Sequence, residues 1–266
     1  MKKGIAALLL MASFSGHAQD RFFAHTYTSN VLPKGNIDVE LWHTSRLGHQ
    51  KGAFYHAMDQ RAEFEIGLGK NVQTAFYFNR FHQLVSDSAN HLISTGDMGF
   101  SNEWKWKLSD PSANVVGLAL YGELGIKSDE VEWEGKIILD KYAGKNLFAL
   151  NIVGELEQEV EMENGEFELE SEETPVELDA AYMYNINKNW GLGFELVDYN
   201  GLKKGDWEYA ALYGGPTVNY RSDRWFLIAN FMPQWTNLHK TGEAPGNKVL
   251  GEHERSEARV ILGFSF

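Results

Sequence analysis

The feature that most constrains this chain is an alternation of apolar and charged residues, with a period of two, sustained through long runs from residue 37 onward. In Ile37-Asp38-Val39-Glu40-Leu41 the odd positions are apolar and the even ones acidic. Ala62-Glu63-Phe64-Glu65-Ile66 repeats the pattern, with Arg61 in the acidic register. Residues 98–108 set Glu103, Lys105 and Lys107 against Trp104 and Trp106. Successive side chains of a strand point to opposite faces, so each run presents one apolar and one charged face. No long segment carries a 3.6-residue apolar stripe, so an all-β chain without helices is expected.

Reading on gives twelve runs, at about 37–46, 57–68, 71–83, 97–108, 114–126, 130–141, 146–163, 166–185, 189–199, 207–219, 223–236 and 254–266. Strands that cross a bilayer need ~9–11 residues, whereas strands of soluble proteins have a mode of ~5–6. The runs are mostly of the longer kind. The core of a sandwich rejects a charged face, but the lumen of a closed barrel accepts one. Short links at 69–70, 109–113, 142–145, 186–188 and 220–222 alternate with mostly longer ones at 47–56, 84–96, 200–206 and 237–253. That asymmetry matches the periplasmic turns and extracellular loops of a transmembrane antiparallel up-and-down β-barrel. The expectation is about twelve strands in one domain, residues 19–266, with both termini in the periplasm. Trp42, Trp104, Trp106, Trp133, Trp190, Trp207, Trp225 and Trp235 are then expected in interfacial girdles.

The first eighteen residues read as an address. Lys2 and Lys3 precede the apolar stretch 5–14, and Gly16-His17-Ala18 supplies small residues for cleavage before Gln19. Cleavage removes two lysines and no acid, moving the net charge from −13 to −15. Such an acidic chain lacks the basic footprint that nucleic acid requires. With no cysteine, disulfides, Cys-ligated zinc and Cys nucleophiles are excluded. No cofactor is expected. The expected partners are outer-membrane lipid and lipopolysaccharide, the barrel-assembly machinery, and small solutes.

The final strand sets Ala258, Val260, Leu262, Phe264 and Phe266 on one parity and Glu257 and Arg259 on the other. This ending resembles the C-terminal signal of Gram-negative outer-membrane barrels, an amphipathic strand closed by an aromatic residue, and implies that Phe264 and Phe266 are read during membrane insertion. Two further segments, 27–35 (Tyr-Thr-Ser-Asn-Val-Leu-Pro-Lys-Gly) and 95–100 (Thr-Gly-Asp-Met-Gly-Phe), are similar to the outer-membrane family grouped as MetA-pathway of phenol degradation. Where that family has a Pro-Thr-Gly-like step, this chain reads Gly125-Ile126-Lys127-Ser128. The resemblance implies a barrel associated with passage of small, often aromatic, compounds.

The inward parity names the candidate lining. Asp38, Glu40, Glu63, Glu65, Glu103, Glu123, Glu132, Glu134, Glu177, Asp179, Glu195 and Glu257 face Arg61, Lys105, Lys107, Lys136 and Arg259, twelve acids to five bases. Such a wall concentrates cations, so a narrow, cation-preferring, porin-like channel is expected, with Glu63 and Glu65 contributing to selectivity. Asn164-Gly165 predicts a hairpin turn inside an acidic run, 155–173, that has room to gather cations. His43, His49, His56, His82, His91, His239 and His253 fall near the loop ends, and His25 on the periplasmic side, without recognisable metal-ligand spacing. The alternatives are a plugged structural or adhesive barrel and a surface lipid hydrolase of the outer-membrane phospholipase type. For the hydrolase, His43 and Ser45 share the outward parity, yet positions two apart on a strand are ~6.5–7 Å apart, against the ~2.6–3.2 Å that a nucleophile and base need.

Overall fold

The computed structural model describes residues 21–49, 54–87, 89–163, 166–203, 205–239 and 247–266. Among them there is no helix. The strands are β1 (Ile37–Leu47), β2 (Tyr55–Gly69), β3 (Val72–Ser86), β4 (Leu92–Ser109), β5 (Gly117–Ile126), β6 (Glu130–Ala143), β7 (Asn146–Glu163), β8 (Glu166–Glu173), β9 (Val176–Asn185), β10 (Trp190–Lys203), β11 (Asp206–Arg221), β12 (Trp225–Asn237) and β13 (Ser256–Ser265). Sequential neighbours pair antiparallel except β8 and β9, which both pair with β7, and β13 returns to β1 from Asp38↔Ser265 to Leu47↔Ser256. The sheet is therefore a closed barrel of twelve strands with one extra strand.

The extra strand corrects the expected single run 166–185. Thr174-Pro175 divides it into β8 and β9. Proline has no N–H for the ladder, and here its carbonyl accepts from Glu155 N at 3.0 Å instead. Below that point β7 pairs with β9, from Asn146↔Tyr184 to Gly154↔Val176. Above it β7 pairs with β8, from Glu157↔Glu173 to Glu163↔Glu166. The Asn164-Gly165 turn lies outside the described residues. The β2–β3 link turns on Lys70 (φ 54°) and Asn71 (φ 63°), the two positive φ values of a type I′ hairpin turn.

The faces are sorted inside out relative to a soluble protein. Phe78 is 60% exposed on the outer face, while Glu40, Glu63, Glu65, Glu103 and Glu195 are fully buried within the barrel. Seven of the eight tryptophans are exposed, on the outer surface. Near the terminal end, Tyr220 packs between Trp190 and Trp225, with ring centroids 4.8 and 4.9 Å away. Trp42 is the exception to the expected girdle. It shares parity with Glu40 and Thr44, points inward, is 8% exposed, and donates its indole N–H to Glu40 at 2.8 Å.

Candidate functional site

Residues 21–36 precede β1, and before Gly35 and Asn36, which bond to Gly67 of β2, they run outside the sheet ladder, so their backbone polar groups need partners elsewhere. They find them on the inner wall of the barrel. The amides of Ala24, His25 and Thr26 all donate to the Glu195 carboxylate, at 3.0, 2.8 and 3.1 Å. Tyr27 N donates to Asn151 Oδ1 at 2.6 Å, and Asn151 Nδ2 donates back to Tyr27 O at 3.1 Å. Leu32 N donates to Gln73, Ser29 Oγ to Asp140, and Asn219 Nδ2 to Phe22 O. Wall side chains thus replace a neighbouring strand.

Apolar contacts seat the same segment. Phe23 is fully buried against Leu147, Ala149, Ala181 and Met183. Ala24 packs with Trp42, Phe226, Ile228 and Ile261, and Tyr27 with Ala119, Tyr121 and Ile138. Burying a large side chain of this kind contributes about 1.5–3 kcal/mol. Gly67 lets the chain pass, since a Cβ there would stand 2.1 Å from the Pro33 carbonyl oxygen. The segment is a plug. A sequence signal for it exists: Ile138, Leu147, Met183, Ile228 and Ile261 sit on the inward parity, where a water-filled lumen would not place them.

Charge locks the plug as well. Arg21 Nε lies 3.0 Å from Glu40, and the guanidinium stacks over Tyr27 and Trp42 at 4.3 and 4.4 Å. His25 does not lie on the periplasmic side, as its place before β1 suggested, but inside the barrel, 2.9 Å from Glu257. Arg259 holds the other edge, donating to Ala24 O at 3.0 Å and pairing with Glu257 at 3.1 Å.

A second segment folds in from the loop end, at 247–255. Val249 N donates to Gln234 Oε1 at 2.7 Å, and Tyr55 Oη to Glu254 at 2.6 Å. His253 stacks on Tyr199 at 5.2 Å and meets Tyr209 edge-on at 4.9 Å. Burial holds its imidazole down at about 4, with Arg46 nearby adding to the effect.

Between plug and mouth remains a cup of about 680 Å³, whose surrounding residues include eleven acids and six lysines or arginines. One wall of it is a set of directly opposed carboxylates. Glu123↔Glu134 and Glu134↔Glu155 form one row, which continues beyond the cup to the buried Glu103 opposite Glu123, and Glu132↔Glu157↔Glu173 form a second. Like charges placed directly opposite destabilise a sheet. Internal cations offset part of this: Lys136 Nζ is 2.9 Å from Glu134 and sits over Tyr27 and Tyr121 at 4.7 and 4.9 Å. Tyr121 donates its hydroxyl to Glu123.

The structure puts every candidate lining residue on the inner side of the barrel, but not in one path. Glu123, Glu132, Glu134, Lys136, Glu177, Arg61 and Arg259 reach the cup. Glu40, Glu195 and Glu257 hold the plug. Glu63, Glu65 and Glu103 form a buried knot, with Asp38, Lys105 and Asp179 also buried. Lys107 pairs with Asp110 at 2.6 Å and reaches Asn30 of the plug at 3.4 Å. Phe264 and Phe266 lie on the outer surface at the terminal end. Among the described residues, no loop histidine joins a cluster of three metal-ligand side chains.

The outward pair departs from the spacing argument. Ser45 Oγ lies 3.1 Å from His43 Nε2 and 3.4 Å from His56 Nε2, because the side chains lean together although their Cα positions do not. A catalytic constellation also needs a group that orients the base, and the hydrogen bonds of His43 found among the described residues include no carboxylate or amide.

A model of the Family of unknown function (DUF6662) matches residues 15–266. The chain belongs to this family. None of the curated proteins compared by sequence matches it. Among solved structures, this family member is similar in fold to the COG4313 outer membrane channel from Pseudomonas putida F1, with a TM-score of 0.60 and 12% identity over 89% of this chain and 97% of that one. It is also similar to the KdgM porin (TM-score 0.51, 9% identity, 86% and 99% covered) and the NanC porin (0.50, 14%, 86% and 98%).

Proposed function

We propose that this protein is an outer-membrane channel for small solutes, narrowed by a resident N-terminal plug and preferring cations at its entrance. The observation that carries the reading is the acidic cup, which opens at the loop end and reaches down to the plug inside a barrel with an apolar outer face. The fold shared with proteins described as channels and porins supports it. So do the outward tryptophans, which suit the two interfaces of a bilayer. The resemblance of residues 27–35 and 95–100 to the MetA-pathway family adds small aromatic compounds as the solutes to try first.

Glu63 and Glu65 are buried behind the plug, so Glu132 and Glu157, opposed in the cup, are the pair to neutralise. Bilayer recordings across a potassium chloride gradient should give a cation-selective reversal potential. Selectivity should fall in the E132Q/E157Q variant, and the effect should shrink as salt shortens the screening length from ~30 Å at 0.01 M to ~10 Å at 0.1 M. Anion preference in the unmodified protein would overturn the reading.

A further inference from the structure

Six lysines or arginines surround the cup, and four of them are already paired. Arg46 meets Asp59 at 2.7 Å, Lys127 meets Glu130 at 2.6 Å, Lys136 meets Glu134 at 2.9 Å and Arg259 meets Glu257 at 3.1 Å. Arg80 is on the outward parity of β3, where it donates to Gln60 at 2.8 Å. Arg61, on the inward parity of β2, is held differently. Its guanidinium lies over the rings of Tyr77 and Trp42, at 4.3 and 5.2 Å, and its Nε donates to Asn79 Oδ1 at 2.9 Å. Asn79 is itself fixed, donating from Nδ2 to Ser101 Oγ at 2.9 Å.

Both terminal nitrogens of Arg61 remain without a hydrogen bond among the described residues. Glu123 and Glu63 act on the guanidinium through space, yet neither closes into an ion pair with it. A guanidinium is a planar fork that matches the two oxygens of a carboxylate. Two aromatic rings and an amide have already immobilised this fork, so it loses little side-chain freedom when a ligand binds. The opposite wall carries the complementary charge. In the ring of strands β2 and β9 stand across from each other: β3 to β7 separate them on one side, and β1, β13, β12, β11 and β10 on the other. Glu177 is on β9, with Glu155 and Glu157 beside it on β7, and all three line the cup.

We infer that the cup binds a small zwitterion, with its carboxylate on Arg61 and its ammonium group toward the carboxylates of β7 and β9. Eleven acids against six bases repel a simple anion, so a carboxylate gains most from Arg61 when the same molecule carries its own cation. A simple cation engages the acids alone and makes no use of the fork. A cavity of about 680 Å³ has ample room for a solute the size of an amino acid. The inference deepens the channel reading by naming a solute class, and it rests on the cup being open to solutes from the loop end.

Full-length protein in detergent at low salt, titrated calorimetrically with γ-aminobutyrate, butylamine and butyrate, tests the assignment. γ-Aminobutyrate should bind one per chain and at least about tenfold more tightly than either analogue, which each carry one of its charges. In R61Q that advantage should vanish, and R61K, which keeps the charge but not the fork, should recover only part of it. E155Q/E177Q should instead weaken butylamine and γ-aminobutyrate alike. If R61Q fails to assemble, the comparison of the three solutes in the unmodified protein and in R61K decides. Butylamine binding as tightly as γ-aminobutyrate, or an unchanged advantage in assembled R61Q, would overturn the assignment while leaving a cation-selective channel intact. Bilayers without conductance would instead remove the channel and leave the zwitterion site standing.

Discussion

Replacing Glu195 with glutamine tests how the plug is held. One fully buried carboxylate accepts three consecutive backbone amides, from Ala24, His25 and Thr26. Hydrogen bonds to a charged group contribute ~1.5–3 kcal/mol each and neutral ones ~0.5–1.5, while a buried donor left without a partner costs ~1–3. An amide keeps the size of the acid but loses its charge, and its single carbonyl serves at most two of the three donors. The plug should therefore be weakened by about 3 kcal/mol, roughly a hundredfold in the population that is displaced. The chain has no cysteine, so Thr26→Cys makes a clean reporter. Thr26 is fully buried and its hydroxyl has no hydrogen-bond partner among the described residues, so little is lost by the exchange. A water-soluble maleimide should label T26C about a hundredfold faster in the E195Q background, provided reclosing outpaces labelling. An unchanged rate, with fast unboiled migration showing an intact barrel, would refute the claim that Glu195 anchors the plug.

Other outcomes follow from the same geometry. Docking of the 247–255 segment should weaken as pH falls from about 6.5 to about 4, because the released imidazole of His253 takes a proton there and the docked one does not. The loss is at most on the order of 3 kcal/mol; amide exchange at Val249, corrected for intrinsic rate, should show it and H253F should abolish it. Phe266→Glu should reduce assembled barrel in the outer membrane without reducing export, as its side chain is 76% exposed on the outer surface while its backbone still pairs with Ile37; unchanged assembly would remove it as the insertion signal. Phospholipid incubated with the protein, with or without calcium, should release no fatty acid. Release that disappears in S45A would make the Ser45–His43 contact catalytic.

Fold and site differ in how far the sequence alone determined them. The period-two alternation is a local property of the backbone, because side chains on a strand must alternate whatever surrounds them. It therefore reads directly onto β1, β7 and β13, and onto the inward side of Glu63, Glu103 and Glu195. The same parity, followed strictly, also turns Trp42 inward; residue type alone had put it in a girdle. Alternation marks where the plug sits, through inward apolar residues such as Ile138 and Met183, but the segment that fills the place was not legible in this way. Residues 21–36 have no period, and their partners are side chains of distant strands, such as Glu195, 171 positions from Ala24. Which inner residues line a cup, which hold a segment and which converge in a buried knot depends on how the sheet is assembled. Pairing of β2 and β4 with the same strand brings their carboxylates together over Ala75, and only closure sets β10 against the N-terminal chain. Alternation assigns a face; what that face meets is decided by contacts that no local window contains.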